Sequence, residues 1–228
     1  MTENKMTFEQ IKKHALKITK KAGNARPVLQ LMQLKDNYIN ATDRHRILRV
    51  KHKHSNNIMY NPKTDEKIEN SNMDCSYPDI NRVIPIQDEN TNVIEFSEDE
   101  IDTILNTLKF YKKIKVKTVK FDLVLDNKEL FYTLNFDKNS TDKHANIAQK
   151  LDLTYKLKSI INNKEIETIL LNTEYLINAF EFIKDFNKSN QNQHINVYQI
   201  EIDHKHKPIN ITNKYTDFNY IICPLRQN

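Results

Sequence analysis

Residues 119–136 read VKFDLVLDNKELFYTLNF. Large apolar residues occupy every second position on both sides of the pair Asp126-Asn127, and such a pair favours a tight turn. Because successive side chains of a strand point to opposite faces of a sheet, this alternation predicts an antiparallel hairpin with one buried face.

Three segments outside this hairpin repeat their apolar residues every three to four positions, which is typical of amphipathic helices. The first spans residues 8–21, the second begins at Ser97, and the third spans about residues 173–186. Glu100 stands three residues after Ser97 and completes a capping box, and acidic residues fill the first turn. Each helix therefore has one apolar face for a core and one polar face.

Several further strands are predicted around these helices. The pair Asp36-Asn37 separates two apolar runs and predicts a second hairpin in the first third of the chain. A helix followed by antiparallel strands thus recurs along the sequence, which predicts an α+β fold. The additional predicted strands cover residues 29–34, 38–41, 195–202, 208–212 and 218–224.

The composition excludes several classes of protein. The 35 Lys and Arg residues exceed the 30 Asp and Glu residues, and the resulting net charge of +5 modestly favours anionic partners. No apolar run approaches the roughly 18 residues that a membrane span needs, and no signal peptide is visible. Cys75 and Cys223 form no Cys-x-x-Cys pair, so we expect free thiols and a cytoplasmic protein without membrane partners.

Patterns typical of catalysis and metal binding are missing from the sequence. The single glycine, Gly23, cannot form a glycine-rich phosphate loop, and no nucleophile, base and orienting group are recognisable. The pairs His52 and His54, and His204 and His206, would each lie on one side of a strand and could bind a metal, although exposed strand histidines are commoner. Because no third ligand is recognisable, we expect no metal site. Because no catalytic or phosphate-binding pattern is recognisable, we expect no catalytic residues and no cofactor.

Three short motifs lie far apart in the chain. Residues 41–47 read ATDRHRI, residues 77–85 read YPDINRVIP, and residues 220–226 read YIICPLR. In this order, and with the elements predicted between them, the motifs resemble the bacterial DNA polymerase III beta subunit family, the DNA sliding clamps.

The resemblance implies two clamp-like domains built from helices packed on antiparallel sheets. Residues 1–90 resemble the middle domain of that family and residues 91–228 resemble its C-terminal domain. Only 29 residues separate Ile47 from Tyr77, so we expect the first domain to be abridged. We also expect the N-terminal domain of the family to be absent.

In that family the three segments meet at a pocket that captures short peptides of DNA polymerases and other replication proteins. The resemblance implies a pocket with aliphatic and proline walls and with Arg and His at its edge, suited to a peptide that carries Gln and bulky apolar residues. Arg44 stands where the family usually has a small residue, often glycine, and Cys223 where it often has methionine. The alternative is that these positions serve the sheet and the core only. The implied pocket residues are Leu29, Thr42, Arg44, His45, Arg46, Ile47, Pro78, Arg82, Val83, Ile221, Cys223, Pro224, Leu225 and Arg226.

Clamps surround DNA with helices whose basic residues contact phosphates without reading bases. The resemblance therefore implies sequence-independent binding of duplex DNA by Lys13, Lys17 and Lys20 of the first helix, with Arg26 beyond it. The alternative is that these lysines form a solvated face. Closing a ring would require either the missing domain or a different oligomer, such as a homo-oligomer of this chain.

The leading interpretation is a truncated, non-enzymatic clamp that acts as a processivity factor. A shortened clamp in a chain of biased composition suggests an accessory protein of a phage or a mobile element. It would bind clamp-interaction peptides of replication or repair proteins, and duplex DNA. The alternative is a regulator or decoy that modulates a full-length clamp or replisome without encircling DNA.

Overall fold

The structure is a computed structural model, and it describes residues 4–54, 57–69, 76–127, 129–136, 155–191, 197–215 and 217–226. Cys75 lies outside these ranges. Within them the chain forms three α-helices, thirteen β-strands and two short 3-10 helices. The predicted α+β class is confirmed, because the helices pack on a large antiparallel sheet.

Each helix begins at a residue that satisfies its free backbone N–H groups. Thr7 and Gln10 form a reciprocal capping box before α1 (Phe8–Thr19), and Ser97 and Glu100 form another before α2 (Glu98–Lys113). The Asn172 side chain accepts hydrogen bonds from two backbone N–H groups at the start of α3 (Thr173–Ser189). All three predicted helices are confirmed, although α1 ends two residues earlier than expected and α3 continues three residues further.

The strands follow the predicted hairpins, including the one at residues 119–136. One predicted strand is wrong at its start, because Pro27–Gln30 forms a 3-10 helix that contains Leu29. Pro27 lacks a backbone N–H and has a fixed φ, which suits the first position of such a turn better than a strand. The strands are β1 (Met32–Lys35), β2 (Tyr38–Thr42), β3 (Arg46–Lys51), β4 (Ile58–Asn61), β5 (Glu66–Ile68), β6 (Asn92–Ser97), β7 (Thr118–Asp126), β8 (Glu129–Phe136), β9 (Tyr155–Ile160), β10 (Thr168–Asn172), β11 (Val197–Ile202), β12 (Ile209–Asn213) and β13 (Phe218–Ile222).

Residues 92–222 contain the same unit twice: a strand, a helix and three antiparallel strands. The first copy is β6-α2-β7-β8-β9 and the second is β10-α3-β11-β12-β13. The opening strand of each copy pairs with the first strand after the helix of the other copy, β10 with β7 and β6 with β11. The two copies therefore interlock into one body.

Residues 8–68 supply only part of such a unit. Helix α1 is followed by β1, β2 and β3, and then by the hairpin β4-β5. Strand β4 pairs with β1, which is the place that the opening strand of a second unit takes in residues 92–222. In the described part of the chain, a two-stranded hairpin thus stands where a second helical unit would begin, and the abridgement of a first domain stays a prediction.

A single sheet runs through both parts of the chain. Its strand order is β10-β7-β8-β9-β6-β11-β12-β13-β3-β2-β1-β4-β5. The two parts meet where β13 pairs antiparallel with β3, so that Phe218 lies opposite Val50 and Ile222 opposite Arg46. The division into two domains at about residue 90 stays a prediction, because this sheet is continuous across it.

The main core lies between the helices and one face of the sheet. In β3, Leu48 and Val50 point into this core, whereas Ile47 points to the opposite face. Leu29 belongs to a smaller cluster with Val28, Leu31 and Met59. We call the face of the sheet away from the helices the outer face.

Arg46 is buried where both parts of the chain meet α1 and α3. Its side chain is enclosed, with 1% of the residue exposed. Its Nε donates to Asp43 Oδ2 at 2.9 Å, its Nη2 donates to the carbonyl of Lys17 at 2.8 Å, and its guanidinium carbon lies 4.4 Å from the centre of the Tyr175 ring. One buried cation therefore holds the β2-β3 turn, the end of α1 and the start of α3 together.

Arg46→Ala should lower the free energy of unfolding by roughly 3 to 5 kcal/mol, because the carboxylate of Asp43 would remain buried without its partner. Denaturant unfolding of the variant and the parent measures this difference. Arg82→Ala is the matched control, since Arg82 also pairs with an Asp three residues before it but is 86% exposed, and its loss should cost little. Equal losses in the two variants would contradict a structural role for Arg46.

Candidate peptide-binding site

The three sequence motifs meet on the outer face of the sheet. Ile47 of the first motif, Ile80 of the second and Ile221 of the third form one buried apolar cluster. Tyr77 and Ile84 pack against its edge. We call these five residues the three-motif cluster.

Strand pairing and the segment at residues 76–91 bring the three isoleucines together. Ile221 in β13 lies directly opposite Ile47 in β3. Residues 76–91 link β5 to β6 and therefore cross the sheet, and a 3-10 helix at Ile80–Arg82 places Ile80 on the other two isoleucines. Asp79 caps this short helix by accepting a hydrogen bond from the backbone N–H of Asn81 at 3.2 Å.

The turn between β2 and β3 presents two polar side chains beside the cluster. The carboxylate of Asp43 accepts hydrogen bonds from the backbone N–H groups of His45 and Arg46, both at 3.1 Å, and Thr42 Oγ1 donates to the carbonyl of Arg46 at 2.9 Å. Arg44 adopts a left-handed conformation with φ 78°. The side chains of Arg44 and His45 are consequently exposed while Thr42 is buried.

The last described residues run alongside this turn. The backbone N–H of Cys223 donates to the carbonyl of His45 at 2.8 Å, and that of Leu225 donates to the carbonyl of Leu170 at 2.8 Å. Cys223 Sγ lies 3.7 Å from the carbonyl of Arg44, and burial raises the pKa of this thiol. The third motif is therefore fixed to both the first motif and strand β10.

Large apolar side chains of the second and third motifs, and Ile86 directly after the second, are exposed. Val83 is 41% exposed, Leu225 is 37% exposed and Ile86 is 86% exposed. Exposed apolar side chains beside a buried apolar cluster are typical of a surface that binds another chain. Arg82 and Arg226 are exposed near them and supply positive charge.

Most of the predicted pocket residues come together, and two do not fit the expected role. Arg46 was expected at the pocket edge, but it is buried by its contacts with Asp43, Lys17 and Tyr175 and cannot reach a peptide there. Leu29 is buried in its own cluster and touches the site only through Tyr77, which packs against both clusters.

Two residues of the site were not singled out from the sequence. Ile80 lies inside the second motif, where its position between Asp79 and Arg82 could have marked it as the apolar anchor. Tyr175 stacks on His45 with ring centres 6.4 Å apart and also covers Arg46. Its place in the first turn of an amphipathic helix carries no signal for this contact.

The lysines expected to contact DNA are divided between paired and unpaired positions. Lys13 Nζ lies 3.0 Å from Asp185 Oδ2, and Lys17 Nζ lies 2.7 Å from Glu181 Oε2, both carboxylates belonging to α3. Lys20 and Arg26 are exposed and have no carboxylate within 4 Å among the described residues. Lys13 and Lys17, in the middle of α1, are therefore paired with carboxylates of α3.

Ion pairs connect all three helices across their polar surface. Glu181 also meets Lys109 of α2 at 3.2 Å, and Lys184 meets Asp102 of α2 at 2.6 Å. Beneath them, burial lowers the pKa of His14 to about 4, and its Nε2 lies 2.9 Å from Asp185 Oδ2. The three helices together carry eight lysines and eight carboxylates, so their layer has no net charge.

The described residues contain neither a metal-binding group nor a membrane-spanning helix. No group of three His, Cys, Asp or Glu side chains there is placed to hold a metal ion. None of the three helices has the length and apolar character needed to cross a bilayer.

No protein-family model matches the sequence, and no curated protein matches it. Solved structures do match. The DNA polymerase III beta chain of Streptococcus pneumoniae aligns over 100% of this chain and 66% of its own, with a TM-score of 0.63 and 16% identity. The fold is that of the bacterial sliding clamps.

Other structures with the clamp fold agree. The C. crescentus beta sliding clamp covers 100% of this chain and 67% of its own, with a TM-score of 0.63 and 15% identity. The Pseudomonas aeruginosa sliding clamp bound to griselimycin covers 97% and 64%, with a TM-score of 0.59 and 11% identity. The expected clamp fold is confirmed, and the chain spans about two thirds of the length of these proteins.

The conformation of Arg44 favours a residue without a Cβ at this position. A side chain at positive φ is strained, and glycine escapes this strain because it has no Cβ. Arg44→Gly should therefore be more stable than Arg44→Ala by about 1 kcal/mol, although both remove the same contacts beyond Cβ. Thermal unfolding of the two variants measures the difference, and an alanine variant as stable as the glycine variant would contradict strain at this turn.

Proposed function

We propose that this chain is a non-enzymatic binding protein that captures short peptides of replication or repair proteins at the three-motif cluster. The observation that carries the proposal is the meeting of Ile47, Ile80 and Ile221, together with the exposed side chains of Val83 in the second motif and Leu225 in the third. Three segments distant in sequence form one apolar surface, and a bound peptide would cover the part of it that remains exposed.

The chemistry around the cluster suits an extended peptide with bulky apolar side chains. Apolar side chains of the peptide gain free energy by leaving water at Val83 and Leu225. The exposed side chains of Arg44, His45 and Arg82 can donate hydrogen bonds to peptide carbonyl groups or to a Gln side chain, which fixes the direction of the peptide. The P. aeruginosa clamp with griselimycin supports the proposal because it is a protein of this fold solved with a bound ligand.

A short peptide with one Gln and two bulky apolar residues should bind with micromolar affinity, on the order of 8 kcal/mol. Leu225→Ala should weaken binding roughly tenfold because it removes apolar area at the edge of the cluster. Leu125→Ala is the matched control, since Leu125 is an exposed leucine at the tip of the β7-β8 hairpin. Isothermal calorimetry measures both affinities, and absence of heat up to millimolar peptide would refute the proposal.

A second function, binding of duplex DNA, is favoured by the lysines at one end of the helix layer. Lys112 and Lys113 belong to the last turn of α2, Lys115 and Lys117 follow its end, and Lys20 follows the end of α1. All five are exposed, and none has a carboxylate within 4 Å among the described residues. We call them the end lysines.

One of the end lysines, Lys117, contacts the start of α3 through its backbone. The carbonyl of Lys117 accepts a hydrogen bond from the backbone N–H of Thr173 at 2.9 Å. On the other side of α3, Lys21, which follows Lys20, lies 3.8 Å from Glu174. The positive end of the α3 dipole adds to their potential. We therefore propose that DNA phosphates contact this end of the layer rather than its neutral middle.

Replacing Lys112, Lys113 and Lys115 by Ala should flatten the slope of log affinity against log salt by about 2 to 3 units. Replacing Lys13, Lys17 and Lys109 by Ala changes the net charge equally but removes paired lysines, and it should leave the slope nearly unchanged. Fluorescence anisotropy with a labelled duplex measures both slopes. A larger effect of the second set would place the contacts on α1 and α2 instead.

Binding to duplex DNA and retention on circular DNA distinguish a clamp from a regulator. A parent protein that binds peptide but no duplex DNA at low salt would favour the regulator or decoy, because peptide capture alone would then remain. Retention of the protein on circular but not on linear DNA would favour a processivity factor that encircles DNA, in which several copies must close the ring.

A further inference from the structure

A cleft of about 170 Å³ opens on the outer face beside the three-motif cluster. Its floor consists of polar residues of β1, β2 and β3, and its wall is the crossing segment at residues 77–81. The cleft and the cluster share Tyr77 and Ile80. The residues on the floor are Gln33, Lys35, Asp36, Tyr38, Asn40 and Arg49.

Strand register fixes the distance between the cleft and the cluster. Gln33 lies opposite Asn40, and Asn40 lies opposite Arg49, so the three form one row across the strands. Ile47 lies on the same face of β3 as Arg49, two residues earlier. Residues i and i+2 of a strand are about 7 Å apart, and an extended peptide has the same spacing.

Two cations that line the cleft have no carboxylate partner among the described residues. The guanidinium carbon of Arg49 lies 3.7 Å from the centre of the Tyr38 ring, and neither Arg49 nor Lys35 has a carboxylate within 4 Å in the described part of the chain. Of the two acidic residues that line the cleft, Asp79 is already paired with Arg82 at 3.1 Å. Two unpaired cations therefore face one unpaired carboxylate, that of Asp36.

The size and composition of the cleft select a small anionic group. A cavity of this volume is smaller than the roughly 300 to 1,000 Å³ of sites for drug-sized ligands, so it accepts one side chain. A guanidinium held flat on an aromatic ring keeps its N–H edges free, and these edges match a carboxylate in a two-point geometry. The half-buried position of Arg49 reduces screening by salt.

We propose that this cleft binds the carboxylate of an Asp or Glu residue in the peptide whose apolar residues occupy the three-motif cluster. The proposal rests on the proposed peptide-binding function. It adds a requirement on the partner sequence: an acidic residue two or three positions from the apolar pair.

Three peptides that differ only at this position, with Glu, Gln or Lys, test the proposal by calorimetry. The parent protein should bind the Glu peptide about tenfold more tightly than the Gln peptide and should bind the Lys peptide least. This advantage of Glu should shrink as salt is added. Arg49→Gln should abolish the difference between Glu and Gln while leaving the affinity for the Gln peptide unchanged.

Lys51→Gln is the matched control, because Lys51 is the next outward-facing position of β3 and does not line the cleft. It should preserve the preference for Glu. If Arg49→Gln unfolds, Lys35→Gln replaces an exposed cation of the same cleft and should reduce the preference. Equal binding of the Glu and Gln peptides to the parent overturns the acidic subsite and leaves peptide capture standing. Failure of all three peptides to bind overturns both.

Discussion

The buried guanidinium of Arg46 is the interaction on which the rest of the structure depends. A buried cation needs partners for its charge, and Asp43, the carbonyl of Lys17 and the ring of Tyr175 supply them from three different elements. The Nη1 group of Arg46 has no hydrogen-bond partner among the described residues. Because Arg46 points inward, its neighbours Arg44 and His45 in the same turn point outward. The anchoring of one arginine thereby decides which polar groups stand beside the three-motif cluster.

The repeated unit explains how the helices are arranged and why their shared surface is neutral. Helix α3 lies between α1 and α2, and its carboxylates bind lysines from both sides. The cations in the middle of the layer are thus used for holding helices together. In the described part of the chain, the end lysines have no carboxylate within 4 Å, so the distribution of charge, and not the total of +5, indicates where an anion can bind.

Local signals allowed much of the fold to be predicted from the sequence. The capping boxes at Thr7 and Ser97 marked the starts of α1 and α2, and alternation marked the hairpin β7-β8, since each pattern is read within a few residues. The pairing of β3 with β13 and the burial of Arg46 depend on residues far away in sequence, which no local pattern encodes. The candidate site was accessible through the three motifs, but Tyr175 and the polar cleft were not, because their roles arise from sheet register and from the crossing segment.

The pairing of β3 with β13 also has a consequence for how the chain matures. Strand β3 occupies residues 46–51, whereas its partner occupies residues 218–222, so the pairing joins segments that are far apart in sequence. Until β13 has been synthesised, the edge of β3 that it covers stays unpaired, and contacts of such long range form slowly. Unpaired edges recruit other strands, so nascent chains of this protein should depend on chaperones until β13 pairs with β3.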